Sequence, residues 1–143
     1  NDYSVNPEKL IVEDLGEFRE ETIALRKKYG FTRQKILQFS IDLDNFYDRD
    51  NEEENVLVFP GNHDCNTIYG WYKTLDDEHK WKLKEFLRRN ECYDIKMPII
   101  MIQDILGLDE TARINVPGTE SDNNWSWKLT DFKDFKERIK DWK

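Results

Sequence analysis

The sequence is poor in the features that define several protein classes. Cysteine occurs only as Cys65 and Cys92 in 143 residues, with no CxxC pair and no metal-ligand spacing. A disulfide-stapled scaffold and a metal site are therefore not expected, and the two read as free thiols in a reducing cytosol. No apolar run approaches the ~20 residues of a membrane-crossing helix, and no signal-peptide pattern opens the sequence. A basic surplus is missing too. Against 30 Asp and Glu stand 22 Lys and Arg, a net charge of −8, which argues against nucleic acid or anionic lipid as a partner. There is no internal repeat and no low-complexity segment. What is present is 38 % hydrophobic, 36 % charged and 13 % aromatic, too aromatic for a disordered segment and long enough for one domain. The expectation is a soluble, acidic, cytoplasmic domain.

Four short apolar runs read as buried strands: Lys9-Leu10-Ile11-Val12, Lys35-Ile36-Leu37-Gln38-Phe39, Asn55-Val56-Leu57-Val58-Phe59 and Pro98-Ile99-Ile100-Met101-Ile102. Helical spacing predicts a helix over about 17–29, with Phe18, Thr22, Leu25 and Tyr29 on one face and Gly30 as its stop. A second helical stretch covers about 67–89, its apolar face made by Trp71, Leu75, Trp81, Phe86 and Leu87. A last helix starts near Asp131, with Phe132, Phe135, Ile139 and Trp142 on one side. The polar stretch from Asp42 to Asn55 has no helical period and reads as a long loop. Strands alternating with helices mean βα units and a parallel sheet, so the fold class is α/β. Four βα units are half of an eight-unit barrel.

Every strand runs into a polar cluster: Glu13-Asp14, Ser40 with Asp42, His63-Asp64, and Gln103-Asp104. In parallel α/β folds, ligands meet the carboxyl ends of the strands. At such a place Glu13 suits a general acid and base, although an acidic pair before a helix also reads as its cap. His63 can donate to a sugar hydroxyl and Asp64 can stabilise developing positive charge; the rival reading is a polar turn with Asn66 or Thr67 capping a helix. The acids Asp42, Asp44, Asp48 and Asp50 do not make an EF-hand loop, because Tyr47 stands where that loop needs glycine. Trp125 and Trp127, amid Asn115, Asn123 and Asn124 and close to Pro117-Gly118, suit stacking on sugar rings; core packing is the plainer role of either taken alone.

Six stretches recur in a telling order. They are Ile11-Val12-Glu13-Asp14-Leu15-Gly16, Gly30-Phe31 with Lys35 to Phe39, and Gly61-Asn62-His63-Asp64 with Thr67 and Gly70-Trp71. Then come Gln103-Asp104-Ile105-Leu106-Gly107-Leu108, Ala112-Arg113-Ile114-Asn115-Val116-Pro117-Gly118-Thr119, and Asn124-Trp125-Ser126-Trp127-Lys128. Together they resemble the 4-α-glucanotransferases of glycoside hydrolase family 77, also called amylomaltases or disproportionating enzymes. The resemblance implies a TIM (β/α)8 barrel, with residues 1–143 as the C-terminal part of its catalytic domain, about four βα units. It implies retaining transfer of a 1,4-α-D-glucan segment to the 4-hydroxyl of an acceptor glucan or glucose. Glu13 matches the acid/base position and Asp64 the transition-state stabiliser. His63, Gln103 and Asn115 match sugar-binding positions, and Asp42 and Trp125 join that substrate-binding set. No cofactor and no metal are implied. The expected partners are malto-oligosaccharides, α-1,4-glucans and the missing N-terminal half of the barrel.

Departures accompany the match. The family's usual T-H-D-N-D-T stands here as Asn62-His63-Asp64-Cys65-Asn66-Thr67, and its W-R as Trp127-Lys128. No R-I-D-H-type motif, which carries the family's nucleophile, occurs in the chain. The expectation is that this chain alone is inactive, with a non-catalytic maltodextrin-binding module as the alternative and a free-standing α/β domain as a third reading.

Overall fold

A computed structural model of the chain describes residues 5–13, 19–45, 47–48, 56–88 and 99–140. Strands within or overlapping three of the apolar runs form one parallel sheet. Its strands are β1 (Ile11–Val12), β2 (Thr32–Ile36) and β5 (Val56–Phe59), in the order β1-β2-β5. Arg33 lies opposite Val56 and Ile36 opposite Phe59. Between β1 and β2 runs α1 (Glu20–Tyr29), which ends as the spacing predicts. Gly30 adopts φ 67° and donates its N–H to the carbonyls of Arg26 and Lys27, a left-handed cap that a side chain would strain.

The second strand begins and ends three residues earlier than expected. Its ladder partner β5 stops at Phe59, where Pro60 has no N–H to offer and Gly61 turns the chain. Beyond Ile36 the expected strand therefore winds into a helical turn, α2 (Leu37–Ser40). The stretch expected as a loop holds a small antiparallel pair, β3 (Ile41–Asp42) with β4 (Tyr47–Asp48). Asp42 makes the reversal between them: its carboxylate accepts the Asn45 N–H at 3.0 Å and the Asn45 side-chain amide at 3.2 Å. Residues 49–55 lie outside the described residues.

The helical stretch after β5 is two helices, α3 (Ile68–Thr74) and α4 (Asp77–Arg88). Asp76 breaks them apart by accepting the His79 N–H at 2.8 Å, which starts α4. The His79 ring lies between two carboxylates, Asp44 at 2.9 Å and Asp76 at 2.8 Å, and these raise its pKa. The core is Leu37, Ile41, Val58 and Leu83, with Val56, Trp71, Tyr72 and Leu75 packed against it. Trp81, expected on this apolar face, is 61 % exposed on the opposite side of α4.

Two further expectations are corrected. Leu25 and Tyr29 of α1 are 55 % and 48 % exposed, and Arg26 is the residue that helix buries. Among the described residues β1 is the edge strand, with no fourth strand beside it for an apolar face to cover; Phe18 lies outside the described residues. The run 98–102 forms no strand among the described residues. The Ile99 N–H does reach the Val58 carbonyl at 2.9 Å, as a parallel neighbour's would, but Ile102–Ile105 coils into α5. Gln103 and Asp104 therefore stand on a helical turn. The last helix, α6 (Lys133–Arg138), starts where Asp131 accepts the Lys133 N–H at 2.8 Å, but buries no residue. Phe132 and Ile139 are exposed, Phe135 is half-buried, and Trp142 is outside the described residues.

Close packing at Gly70 yields a stability prediction. A Cβ there would collide with the Asn66 side-chain oxygen and stand 2.8 Å from the backbone N of Glu110. Alanine normally favours a helix over glycine by about 1 kcal/mol. Here the clash with backbone outweighs that gain, and Gly70→Ala is expected to lose about 1–3 kcal/mol of stability, read as a lower urea midpoint.

Candidate active site

The site grows out of the turn after β5. At Gly61 a Cβ would lie 2.6 Å from the Gln38 amide nitrogen and 3.1 Å from the Cys65 Cβ. Only glycine lets Gln38 pass this close, and Gln38 then donates to the Asn66 carbonyl at 2.8 Å, latching the loop 61–67 to α2. Within the loop, the Asn62 side-chain oxygen accepts the Asp64 N–H at 3.0 Å, and the Cys65 N–H returns to the Asn62 carbonyl at 3.0 Å. The loop closes on α3. Thr67 Oγ1 accepts the Gly70 N–H at 3.0 Å, and Asp104 accepts the Ile68 N–H at 2.7 Å. Burial pushes the Asp104 carboxyl up in pKa, and the Ile68 N–H partly offsets it. The capping reading of this motif is met by Thr67, and His63 and Asp64 take no part in the cap.

Asp64 is held from four sides. Asn115 Nδ2 donates to its Oδ1 at 2.7 Å, and Arg113 Nη2 donates to its carbonyl at 2.7 Å. His63 Nε2 stands 3.5 Å from the same Oδ1. Arg113 Nε also donates to the Asn115 carbonyl at 2.7 Å, and the Asn115 N–H donates to the His63 carbonyl at 3.1 Å. Segment 113–115 is thus clipped alongside 63–64. On the far side of β2, Glu13 leaves the end of β1 exposed to solvent, 3.5 Å from Asn62 Nδ2. Asn62 thus links the Glu13 carboxylate, through its Nδ2, to the backbone N–H of Asp64, through its Oδ1. The exposed Trp125 indole lies 5.1 Å from the His63 ring, tilted by 39°.

The structure therefore brings together Glu13, His63, Asp64, Asn115 and Trp125. It does not bring Gln103 and Asp42 to that surface. Gln103 is 3 % exposed and donates to the Ala112 carbonyl at 3.4 Å. It lines a cavity of about 10 Å³, too small for a sugar ring. Asp42 is 6 % exposed and engaged with Asn45. Asp14 lies outside the described residues, as does Cys92. Cys65 is buried, and burial raises its thiol pKa. Among the described residues, no cluster of three His, Cys, Asp or Glu is arranged to hold a metal ion.

Two residues matter here that sequence reasoning left without a role. Asn62 was only a departure from a motif, and Arg113 only a letter within one. Arg113 did leave a signal: it is the single cation between Ile105 and Trp127, set between Ala112 and Ile114. A lone Arg in an apolar setting is commonly paired.

Comparison with known proteins agrees with the resemblance drawn from the motifs. Residues 4–134 match the family described as 4-alpha-glucanotransferase. The chloroplastic/amyloplastic 4-alpha-glucanotransferase of Arabidopsis thaliana is 38 % identical over 136 residues, covering 85 % of this chain and 23 % of that protein. The 4-alpha-glucanotransferase of Streptococcus pneumoniae is 36 % identical over 138 residues, covering 85 % of this chain and 27 % of its own length. Among solved structures, the amylomaltase of Streptococcus agalactiae in complex with acarbose aligns with a TM-score of 0.75 at 26 % identity, over 92 % of this chain and 30 % of that one. The amylomaltase of Corynebacterium glutamicum, at 18 % identity and a TM-score of 0.57, shares the fold. The chain spans about a quarter of the length of the curated relatives it matches.

Proposed function

The chain belongs to glycoside hydrolase family 77, the 4-alpha-glucanotransferases, and from that we propose that the gene product carrying it is a retaining 4-α-glucanotransferase. It moves a segment of a 1,4-α-D-glucan to the 4-hydroxyl of another glucan or of glucose. One observation carries the assignment of roles: Glu13 and Asp64 follow strands on either side of β2, and Asn62 ties them, its Nδ2 beside the Glu13 carboxylate and its Oδ1 on the backbone N–H of Asp64. Glu13, exposed and beside the cluster, protonates the departing glycosidic oxygen and then takes the proton of the incoming 4-hydroxyl. Asp64, fixed by Asn115 and Arg113, faces the positive charge that develops at the sugar's anomeric carbon. His63, Asn115 and Trp125 bind the sugar. Gln103 and Asp42 serve from beneath, Gln103 by supporting the Ala112–Asn115 segment and Asp42 by holding its own turn.

In this proposal residues 1–143 are the C-terminal part of a TIM barrel, and the nucleophile comes from the upstream half. Three features support it. Among the described residues β1 pairs with β2 on one edge alone, Ile11 on it is exposed, and α1 presents Leu25 and Tyr29 to solvent. An upstream strand and helix would cover that apolar surface. The ligand class follows the streptococcal neighbour solved with acarbose. No described helix is long and apolar enough to cross a membrane, and we place the protein in the cytoplasm, although the plant relatives are named as plastid enzymes.

Maltotriose tests the proposal. The full-length gene product is expected to yield glucose and longer maltodextrins together, and the 143-residue chain alone neither. Binding of maltotriose without products from the full-length protein would move the reading to a maltodextrin-binding module, which the missing nucleophile motif favours. Products from the chain alone would overturn the division of the site between two halves.

A further inference from the structure

Trp125 is the one non-glycine residue with positive φ among the described residues, at 61°. For a bulky side chain that conformation is an outlier, since Cβ crowds the following carbonyl oxygen. Burial does not compensate for it: the residue is 63 % exposed. A tryptophan here carries two local costs at once, a strained backbone and a large apolar surface left in water. Such a combination persists only where the surroundings over-determine it.

The surroundings do so. The Trp125 N–H donates to the Ile114 carbonyl at 2.7 Å, closing the loop 114–125 at its neck. Next to it, the Asn124 side chain accepts the Val116 N–H at 3.2 Å and donates to the Thr119 carbonyl at 3.1 Å and hydroxyl at 3.2 Å. Ser126 Oγ donates to the Asn123 carbonyl at 2.7 Å. Every one of these bonds uses the backbone at 125 or a side chain other than the indole. The loop is thus built without the indole, and the indole is what it delivers, 5.1 Å from His63. His63 stands between Trp125 and Asp64: its Nε2 is 3.5 Å from Asp64 Oδ1 and its carbonyl is held by Asn115.

We propose that Trp125 is a positioning residue whose strained backbone sets its ring against His63, and thereby fixes the imidazole over Asp64. The proposal rests on the transferase reading for what His63 then contacts, but the contact itself stands apart from it. The two costs can be separated. Trp125→Gly removes the ring and relieves the backbone, because glycine is at ease at this φ. Trp125→Phe keeps an aromatic face against His63 on the same backbone.

The experiment uses the full-length gene product and reads three things: melting temperature, the imidazole proton NMR signals of His63 (assigned by their loss in His63→Gln), and transfer from maltotriose. For Trp125→Gly the melting temperature is expected to hold or rise, and the His63 signals to shift downfield as the ring current of the indole is lost. Transfer is expected to fall about 10- to 100-fold, in kcat through the displaced His63 and in KM through the ring's own lost sugar contact. Trp125→Phe is expected to keep most of the His63 shift and most of the rate. Unmoved His63 signals in Trp125→Gly would overturn the proposal whatever the rate does, and so would a fall in melting temperature, which would make the indole structural. A wild-type protein that binds maltotriose but transfers nothing would fell the transferase reading while the NMR comparison still decided this one.

Discussion

Glu13→Gln in the full-length gene product is expected to lower transfer from maltotriose by about 10³-fold, within the range that a positioned general acid supplies. The side chain is exposed, and its one described partner, Asn62 Nδ2, stands at 3.5 Å. Glutamine fills the same space and loses no buried hydrogen bond, so the melting temperature should not move. The sharper measurement uses two donors. The sugar that maltotriose expels when its glycosidic bond breaks would depart as an alkoxide, and needs a proton from Glu13. 4-Nitrophenyl α-maltoside expels a stabilised 4-nitrophenolate, which does not. The variant should therefore recover its first step on the second donor and release a burst of nitrophenolate, about one per site, before the slow deglycosylation that still needs a base. An equal loss on both donors would show that Glu13 is not the acid. An unchanged rate on maltotriose would remove it from the reaction.

What was legible in the sequence, and what was not, divides on one physical line. Signals that depend only on neighbours along the chain were readable. Gly30 ended α1 because a left-handed cap is a local matter, Pro60-Gly61 ended β5 because a residue without an N–H breaks any ladder, and Thr67 capped α3 from three residues away. Signals that depend on what lies across the sheet were misread. The 3.6-residue period of α1 told which residues share a face, but it carries no information on whether anything covers them, and Leu25 and Tyr29 are exposed. The run 98–102 was apolar enough for a strand, yet a strand also needs a partner's hydrogen bonds in series, and among the described residues of the run Ile99 offers one to Val58. The candidate site divides likewise. His63 and Asp64 announced themselves as polar residues after an apolar run, and Asn115 through the motif that carries the family resemblance. Arg113 did not, because its partners are the backbone carbonyls of Asp64 and Asn115, one of them 49 residues away. A carbonyl has no letter in the sequence.

Asp64→Asn separates the shape of the site from its charge. Arg113 reaches the carbonyl of residue 64, so that bond survives any side-chain change. Asn115 Nδ2 donates to Oδ1 at 2.7 Å, and an asparagine oxygen in the same place still accepts it. The Asn62 oxygen receives the backbone N–H of residue 64, which is likewise retained. The variant is therefore expected to keep its fold and its stability to within about 1 kcal/mol, the size of one ordinary hydrogen bond. What it loses is a negative charge beside the anomeric carbon, where positive charge builds only in the transition state. Interactions made there alone act on kcat and leave KM in place. Transfer from maltotriose should fall about 10²- to 10³-fold in kcat. Glycosylation and deglycosylation pass through the same oxocarbenium-like state, so a better leaving group should rescue neither step. The nitrophenyl donor that restores a burst in Glu13→Gln should give none in Asp64→Asn. A burst from both variants would mean that Asp64 positions Asn115 and Arg113 without stabilising charge, and a loss confined to KM would make it a sugar ligand.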